Sequence, residues 1–247
     1  MSCEDVIEMN LNSSGPQLVI EGIIEPDSVC EIYLSYTGDY FANDTIIAIN
    51  NALVSIEDNA GNSEVLSLAG NGIYRGQQLF GKENVDYTLT VTIDGKNYTG
   101  RANLLTKPHI YNVLPKFSDG FGLKHKDAYI LDLEFEASPD PESYYLIKYY
   151  DEDGSQEFVS IEGKYLTSND TVKYTSPFRR FTKGEKVGIE INAVDFNTYN
   201  YYRQLNEVTR SSLRSSSAPY NPVSNMGTNV LGCFTALAGN RIDVMIE

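Results

Sequence analysis

Short runs in which apolar and polar side chains alternate strictly, broken at close intervals by glycine, asparagine and aspartate, constrain this chain most. From Val29 to Thr37, Cys30, Ile32 and Leu34 fall on one side, and Glu31, Tyr33 and Ser35 on the other. That period of two belongs to a half-buried strand. It recurs from Tyr87 to Ile93 and again from Tyr129 to Ala137, where Leu131, Leu133 and Phe135 oppose Ile130, Asp132 and Glu134. Gln17 to Ile24, Ala52 to Ile56, Glu64 to Leu68, Gly72 to Tyr74 and Lys96 to Ala102 add shorter strands to the first half. Tyr144 to Tyr150, Gln156 to Ile161, Val187 to Val194 and Arg241 to Ile246 do so in the second. Asp94-Gly95 is a two-residue hairpin signal, because both positions must accept a left-handed backbone.

Strands at hairpin spacing predict an all-β chain. Its 247 residues suffice for two sandwiches. Lys107-Pro108 is the natural joint. The expected organisation is a tether over 1–14, an immunoglobulin-like β-sandwich over 15–106, and a second over 107–247. One segment departs from the pattern. Tyr201, Leu205 and Val208 recur at helical spacing, so a single short amphipathic helix is expected over 198–214, packed on a sheet of the second sandwich. Ser211 to Asn229, rich in serine, proline and asparagine, reads as a long loop.

Charge excludes some partners. The net charge is -15; residues 1–106 hold 4 Lys and Arg against 15 Asp and Glu, and residues 107–247 hold 15 against 19. Nucleic acid is not an expected partner, since phosphates require clustered cations. Cys3, Cys30 and Cys233 form no CxxC pair and only two histidines are present, so neither a zinc site nor another cofactor is expected. Cys30, on the apolar side of its strand, is expected to be a buried thiol. His109 and His125 lie in poor contexts for a triad and no G-x-S-x-G is present, so no catalytic residues are assigned and a non-enzymatic role is expected. Asp151-Glu152-Asp153-Gly154 and Asp58-Asn59-Ala60-Gly61-Asn62 fall short of a calcium loop and read as turns.

Two groups of residues remain as candidates for contact. Phe178-Arg179-Arg180-Phe181 sets two arginines between aromatics and could hold a carboxylate or a partner's acidic rim. Tyr199, Tyr201 and Tyr202, beside the helix, could form a contact platform. No apolar run approaches the roughly 18 residues of a membrane span. The start, Met1-Ser2-Cys3-Glu4-Asp5, looks instead like the mature end of a bacterial lipoprotein, with Met1 and Ser2 standing where a signal peptide had been.

A family resemblance runs through these residues in order. Cys3-Glu4-Asp5-Val6-Ile7-Glu8, Leu18 to Ile24, Leu34-Ser35-Tyr36-Thr37 and Asn51 to Gly61 resemble the first half of Bacteroidetes lipoproteins of the domain-of-unknown-function family 4249. Gly72-Ile73-Tyr74, Tyr87 to Val91 and Asp94 to Tyr98 follow, and Asn221 to Asn225 with Asn229 to Phe234 resemble its closing motif. Cys233 stands where that family has tyrosine. The resemblance implies that Cys3 is the acylated residue and that the membrane is reached through this anchor alone. It implies an outer-membrane surface location and a TonB-dependent barrel of a nutrient uptake system as partner. A multi-chain anchor holds stably where a single acyl chain does not. The family carries no established catalytic residues. The rival expectation is a structural or adhesive subunit of the cell surface.

Overall fold

The computed structural model describes residues 15–38, 46–118, 128–140, 142–176, 179–211 and 220–247. In chain order the first half forms β1 (Leu18–Ile24), β2 (Val29–Tyr36), β3 (Ile47–Ala48), β4 (Leu53–Asp58), β5 (Ser63–Val65), β6 (Ser67–Gly70), β7 (Ile73–Phe80), β8 (Val85–Ile93) and β9 (Lys96–Leu104). The second forms β10 (Ile110–Ser118), β11 (Ala128–Glu136), β12 (Tyr144–Tyr150), β13 (Gln156–Glu162), β14 (Thr167–Ser168), β15 (Thr171–Thr175), β16 (Lys186–Val194), helix α1 (Phe196–Ser211), β17 (Val230–Leu231), β18 (Phe234–Ala236) and β19 (Ala238–Met245).

Both halves repeat one topology. In the first, β1-β2-β7-β6 face β5-β4-β8-β9; in the second, β10-β11-β15-β14 face β13-β12-β16-β19. With strands lettered A to G within each half, these are A-B-E-D packed on C′-C-F-G, the immunoglobulin-like order. Each pair of sheets encloses its own core. Ile20, Ile32 and Leu34 meet Ile56, Leu89 and Leu104 in the first. Leu131, Leu133 and Phe135 meet Tyr145, Ile147 and Ile189 in the second. The all-β expectation of two sandwiches therefore holds, with α1 the one α-helix among the described residues beside a single 3-10 turn at Gly163–Tyr165.

The alternation read from the chain is what fills these cores. Cys30, Ile32 and Leu34 are all fully buried, and Glu31 and Tyr33 between them are partly exposed, whereas Ser35 is buried as well. Asp94 and Gly95 adopt φ of 49° and 77°, the left-handed pair that a two-residue hairpin needs. Near the start of strand F, the buried Tyr87 accepts a hydrogen bond at its hydroxyl from the Lys82 amide, 2.8 Å away, pinning the preceding corner. This is the tyrosine corner of immunoglobulin-like domains. Cys30 and Cys233 are free, buried thiols.

A bulge in β7 is held by one side chain. Between the pairs Val29–Phe80 and Glu31–Arg75 the register slips. There the amides of Gln77, Gln78 and Leu79 turn to the Glu64 carboxylate, at 2.6, 3.1 and 2.8 Å. Burial opposes ionisation of Glu64, but the three donors outweigh it and its pKa falls below the ordinary value of 4.5. Glu64→Gln is expected to cost about 1 kcal/mol near neutral pH. Because the folded pKa is depressed, this stabilisation is present above 4.5 and is lost as pH falls through the lowered native value. Urea midpoints of the two proteins at neutral and strongly acid pH should therefore converge on acidification.

The C-terminal half does not keep to itself. The connection between strands F and G of the second sandwich, residues 195–237, leaves as α1 and returns through the first sandwich. β17 and β18 pair in parallel with β1, matching Leu18 with Val230 and Gly22 with Phe234. β18 also lies beside β9, so the return closes the side of the first sandwich between β1 and β9. The expected second unit of 107–247 is thus interrupted: 230–236 belong to the first sandwich's sheet. Asn225 clamps the return, its amide donating to the carbonyls of Arg101 (3.0 Å) and Phe234 (2.7 Å) and accepting from the Phe234 amide (2.9 Å). Gly232, at φ 81°, passes so close to β1 that a Cβ would lie 2.3 Å from the Ile20 carbonyl.

Candidate functional site at the junction of the two sandwiches

Helix α1 is set by its first turn. Asp195 caps it, accepting from the Thr198 amide at 2.7 Å through Oδ1. Its other oxygen accepts from the Asn103 amide of β9 at 2.9 Å, so one carboxylate ties the helix start to the first sandwich. Asp195→Ala is expected to cost about 1–2 kcal/mol and to loosen the helix. Faster amide exchange confined to 196–202 and the neighbouring end of β9 would register it.

The helix face then follows from spacing. Tyr199 and Tyr202 lie three apart and turn onto the outer face of the β12–β16 sheet, packed with Leu146, Val194, Phe158 and Ile23. Tyr199 stacks on Tyr144 with ring centroids 4.6 Å apart, and its hydroxyl donates to Glu162 at 3.0 Å. Burial and that carboxylate push its pKa up to about 12. Tyr202 meets Phe158 edge to face at 5.2 Å and Tyr201 at 5.7 Å with rings 87° apart.

On the first-sandwich side these rings overhang an open face. A cleft of about 310 Å³ lies there, walled by Tyr33, Tyr201 and Tyr202, edged by Glu21 and Glu31, with Cys233 in its floor. Glu21 and Tyr33 are direct cross-strand partners on β1 and β2. Glu31 receives both Nε and Nη2 of Arg75 on its Oε2, which leaves Oε1 without either. The Glu21 side chain makes no hydrogen bond or ion pair among the described residues. Burial, followed by the charge of Glu21, raises Tyr201 above its ordinary value. Burial and nearby Cys233 bring Tyr202 up to about 12, and burial brings the Cys233 thiol up to about 12. All three groups are therefore neutral at physiological pH.

A polar knot sits on the same outer face, nearer the joint. Lys148, almost buried, lies 3.6 Å from Glu190, which also accepts from Tyr150 (2.7 Å) and Asn192 (2.8 Å). Burial raises Glu25, partly offset by Lys148. A second cavity of about 570 Å³ opens between the sandwiches beside Asn103, Ser143, Asp140 and Asp195.

The residues singled out in the sequence do not form one site. Cys3 and Phe178 lie outside the described residues. Arg179 is held within the second sandwich. It pairs with Asp151 and lies 3.3 Å from Glu157 and 3.9 Å from Glu185, with its guanidinium 5.1 Å from the Phe181 ring centroid. Phe181 is fully buried core. Arg180 is exposed and donates to Ser118 at 3.1 Å. Tyr199 is a packing residue, whereas Tyr201 and Tyr202 reach the cleft. Asp151-Glu152-Asp153-Gly154 is a turn whose first carboxylate serves Arg179, and Asp58 caps its own loop through the amides of Ala60 and Asn62. His109 packs on Tyr111, and His125 lies outside the described residues. Among the described residues, no group of three or more His, Cys, Asp or Glu side chains is placed to hold a metal. Glu21, Glu31, Tyr33 and Cys233 were the cleft residues that the sequence did not group together; the cross-strand partnership of Glu21 and Tyr33 was the available signal.

No curated protein matches the chain. Among solved structures, a two fibronectin type-III domain segment from chicken tenascin aligns at 12% identity, covering 73% of this chain and 91% of that one, with a TM-score of 0.26. The family model of a domain of unknown function, DUF4249, matches residues 4–241, nearly the whole chain, and the chain belongs to that family.

Proposed function

We propose that this protein is a non-catalytic binding module, anchored to the outer-membrane surface through acylated Cys3, that serves a TonB-dependent nutrient uptake system. The cleft carries the reading. It gathers three tyrosines and two glutamates from the helix and the first sandwich, and tyrosine offers an apolar ring with a polar tip to whatever docks there. Support for the anchor and the uptake partner comes from family membership and from the Cys3-Glu4-Asp5 start. Arg179 and Phe181 drop out as contact residues, because Arg179 is consumed inside its own sandwich and Phe181 is buried core, whereas Arg180 stays exposed. The rival role, a structural or adhesive subunit, predicts self-assembly instead. Fractionation and native gels separate them. The lipidated protein should sit in the outer-membrane fraction as a discrete species and Cys3→Ala should move to the soluble fraction; membrane retention of Cys3→Ala, or ladders of self-associated species, would count against the proposal.

A further inference from the structure

We propose that the cleft between α1 and the β1–β2 face binds an organic cation, an alkylammonium or guanidinium group; this rests on the reading of that cleft as the contact site. Its walls are the first observation. Tyr201 and Tyr202 stand nearly perpendicular, 5.7 Å between centroids, and Tyr33 lines the same space. Perpendicular ring faces form the corner of an aromatic cage, in which the negative faces of the rings attract a cation. Charge is the second. The cleft is edged by Glu21, which makes no ion pair among the described residues, and by Glu31, which pairs with Arg75 through Oε2 alone. Among the described residues no lysine lines it. The first half of the chain adds a negative field, with 4 Lys and Arg against 15 Asp and Glu over residues 1–106. An anion would be repelled, and a neutral ligand would gain nothing from the field.

Room is the third observation. Cys233 and Thr235 supply a floor of small side chains, and about 310 Å³ is at the small end of ligand clefts. The Thr235 hydroxyl is already donated to the Gly22 carbonyl at 3.0 Å, so the floor offers the ligand little hydrogen bonding. Aromatic walls, an acidic rim and an apolar floor fit a headgroup recognised by charge and shape. Burial holds Tyr201 and Tyr202 in their neutral form.

Calorimetric titration of the full-length protein with choline, and with its uncharged isostere 3,3-dimethylbutanol, tests this. Choline should bind and the isostere should bind at least about tenfold more weakly. Glu21→Gln and Tyr201→Leu should each weaken choline about tenfold, with thermal midpoints near wild type for Glu21→Gln, whose side chain is exposed and unpaired. Cys233→Tyr, which fills the floor, should abolish binding. An Nα-acetylated lysine amide run alongside distinguishes the source: tighter binding than choline assigns the cation to a peptide side chain, weaker binding to a free quaternary amine. Equal binding of choline and its isostere, or no binding of either cation, would overturn the proposal. Loss of cation binding with a TonB-dependent barrel still co-purifying removes only the ligand class; cation binding without a barrel removes only the uptake reading.

Discussion

Phe234→Ala is expected to destabilise the protein by about 3–5 kcal/mol, the cost of emptying a fully buried aromatic site. Phe234 is completely buried in the core of the first sandwich, although every strand of the second sandwich but the last lies between it and that sandwich's last strand. Its seat is shaped for it. Opposite lies Gly22, where a Cβ would come within 2.9 Å of the Phe234 ring and 2.6 Å of Ile32. Its backbone is fixed on both sides by Asn225. Truncation to alanine leaves a void lined by side chains of both sheets, and rigid strands cannot close on it. The loss should be read in urea unfolding, with amide exchange rising first in β1 and β9, the strands that the return bridges. A deficit below 1 kcal/mol would mean that the C-terminal return merely lies against the first sandwich.

Arg179→Ala carries the second large effect, about 2–3 kcal/mol against the second sandwich. Arg179 is nearly buried, with 11% of its side chain exposed, beside Asp151, Glu157 and Glu185. Removing the cation leaves three carboxylates facing one another, and breaking a buried pair from one side costs several kcal/mol. Here the carboxylates are 28–65% exposed, so solvent relieves part of that cost. The guanidinium also covers the Tyr149 and Phe181 rings, at 5.6 and 5.1 Å, and that packing goes with it. Arg180→Ala, at an exposed side chain with one long bond to Ser118, should change stability by less than about 0.5 kcal/mol. The pair of variants separates the two adjacent arginines, which the sequence presents alike. Equal midpoints for both would contradict the structural role assigned to Arg179.

Strands that bury one face were legible because alternation is a direct image of a two-sided sheet. β8 follows it from Asp86 to Ile93, β11 from Ile130 onward and β2 as far as Leu34, before buried Ser35 breaks the pattern. The helix was legible from Tyr201, Leu205 and Val208, but it starts two residues earlier than expected. Its cap is Asp195, which sits at the end of a strand and also serves Asn103. β10 was hidden because it is an edge strand. Pro115 interrupts its pattern, and Leu114 and Phe117 stay about half exposed, so no clean alternation survives. β17 and β18 were hidden for the opposite reason. Phe234, Thr235 and Ala236 are all buried, and a short parallel pairing covered on both faces has no period to read. They follow directly on Ser211 to Asn229, whose serine, proline and asparagine content signals a loop.

The site was harder to read than the fold. Tyr201 and Tyr202 were visible as a cluster, yet their partners Glu21, Glu31 and Tyr33 lie on strands at the far end of the chain. The return of β17 and β18 along β1 and the Asp195 tie to Asn103 bring the helix over that face. Phe178-Arg179-Arg180-Phe181 looked like an exposed recognition loop because adjacent charges and rings carry no record of burial. In the folded chain Phe181 pairs with Tyr129 and fills the core, and Arg179 neutralises a turn that had looked like half of a calcium loop.

The most direct test of the proposed anchor and uptake role is to ask what accompanies the protein in the outer-membrane fraction. Tagged protein would be recovered from detergent-solubilised outer membranes, with Cys3→Ala as the unanchored control, and its companions quantified by mass spectrometry. A TonB-dependent barrel in near-stoichiometric amount, absent from the control, is the predicted result. Recovery of only the protein itself, or of other surface proteins without a barrel, would contradict the account and favour the structural role.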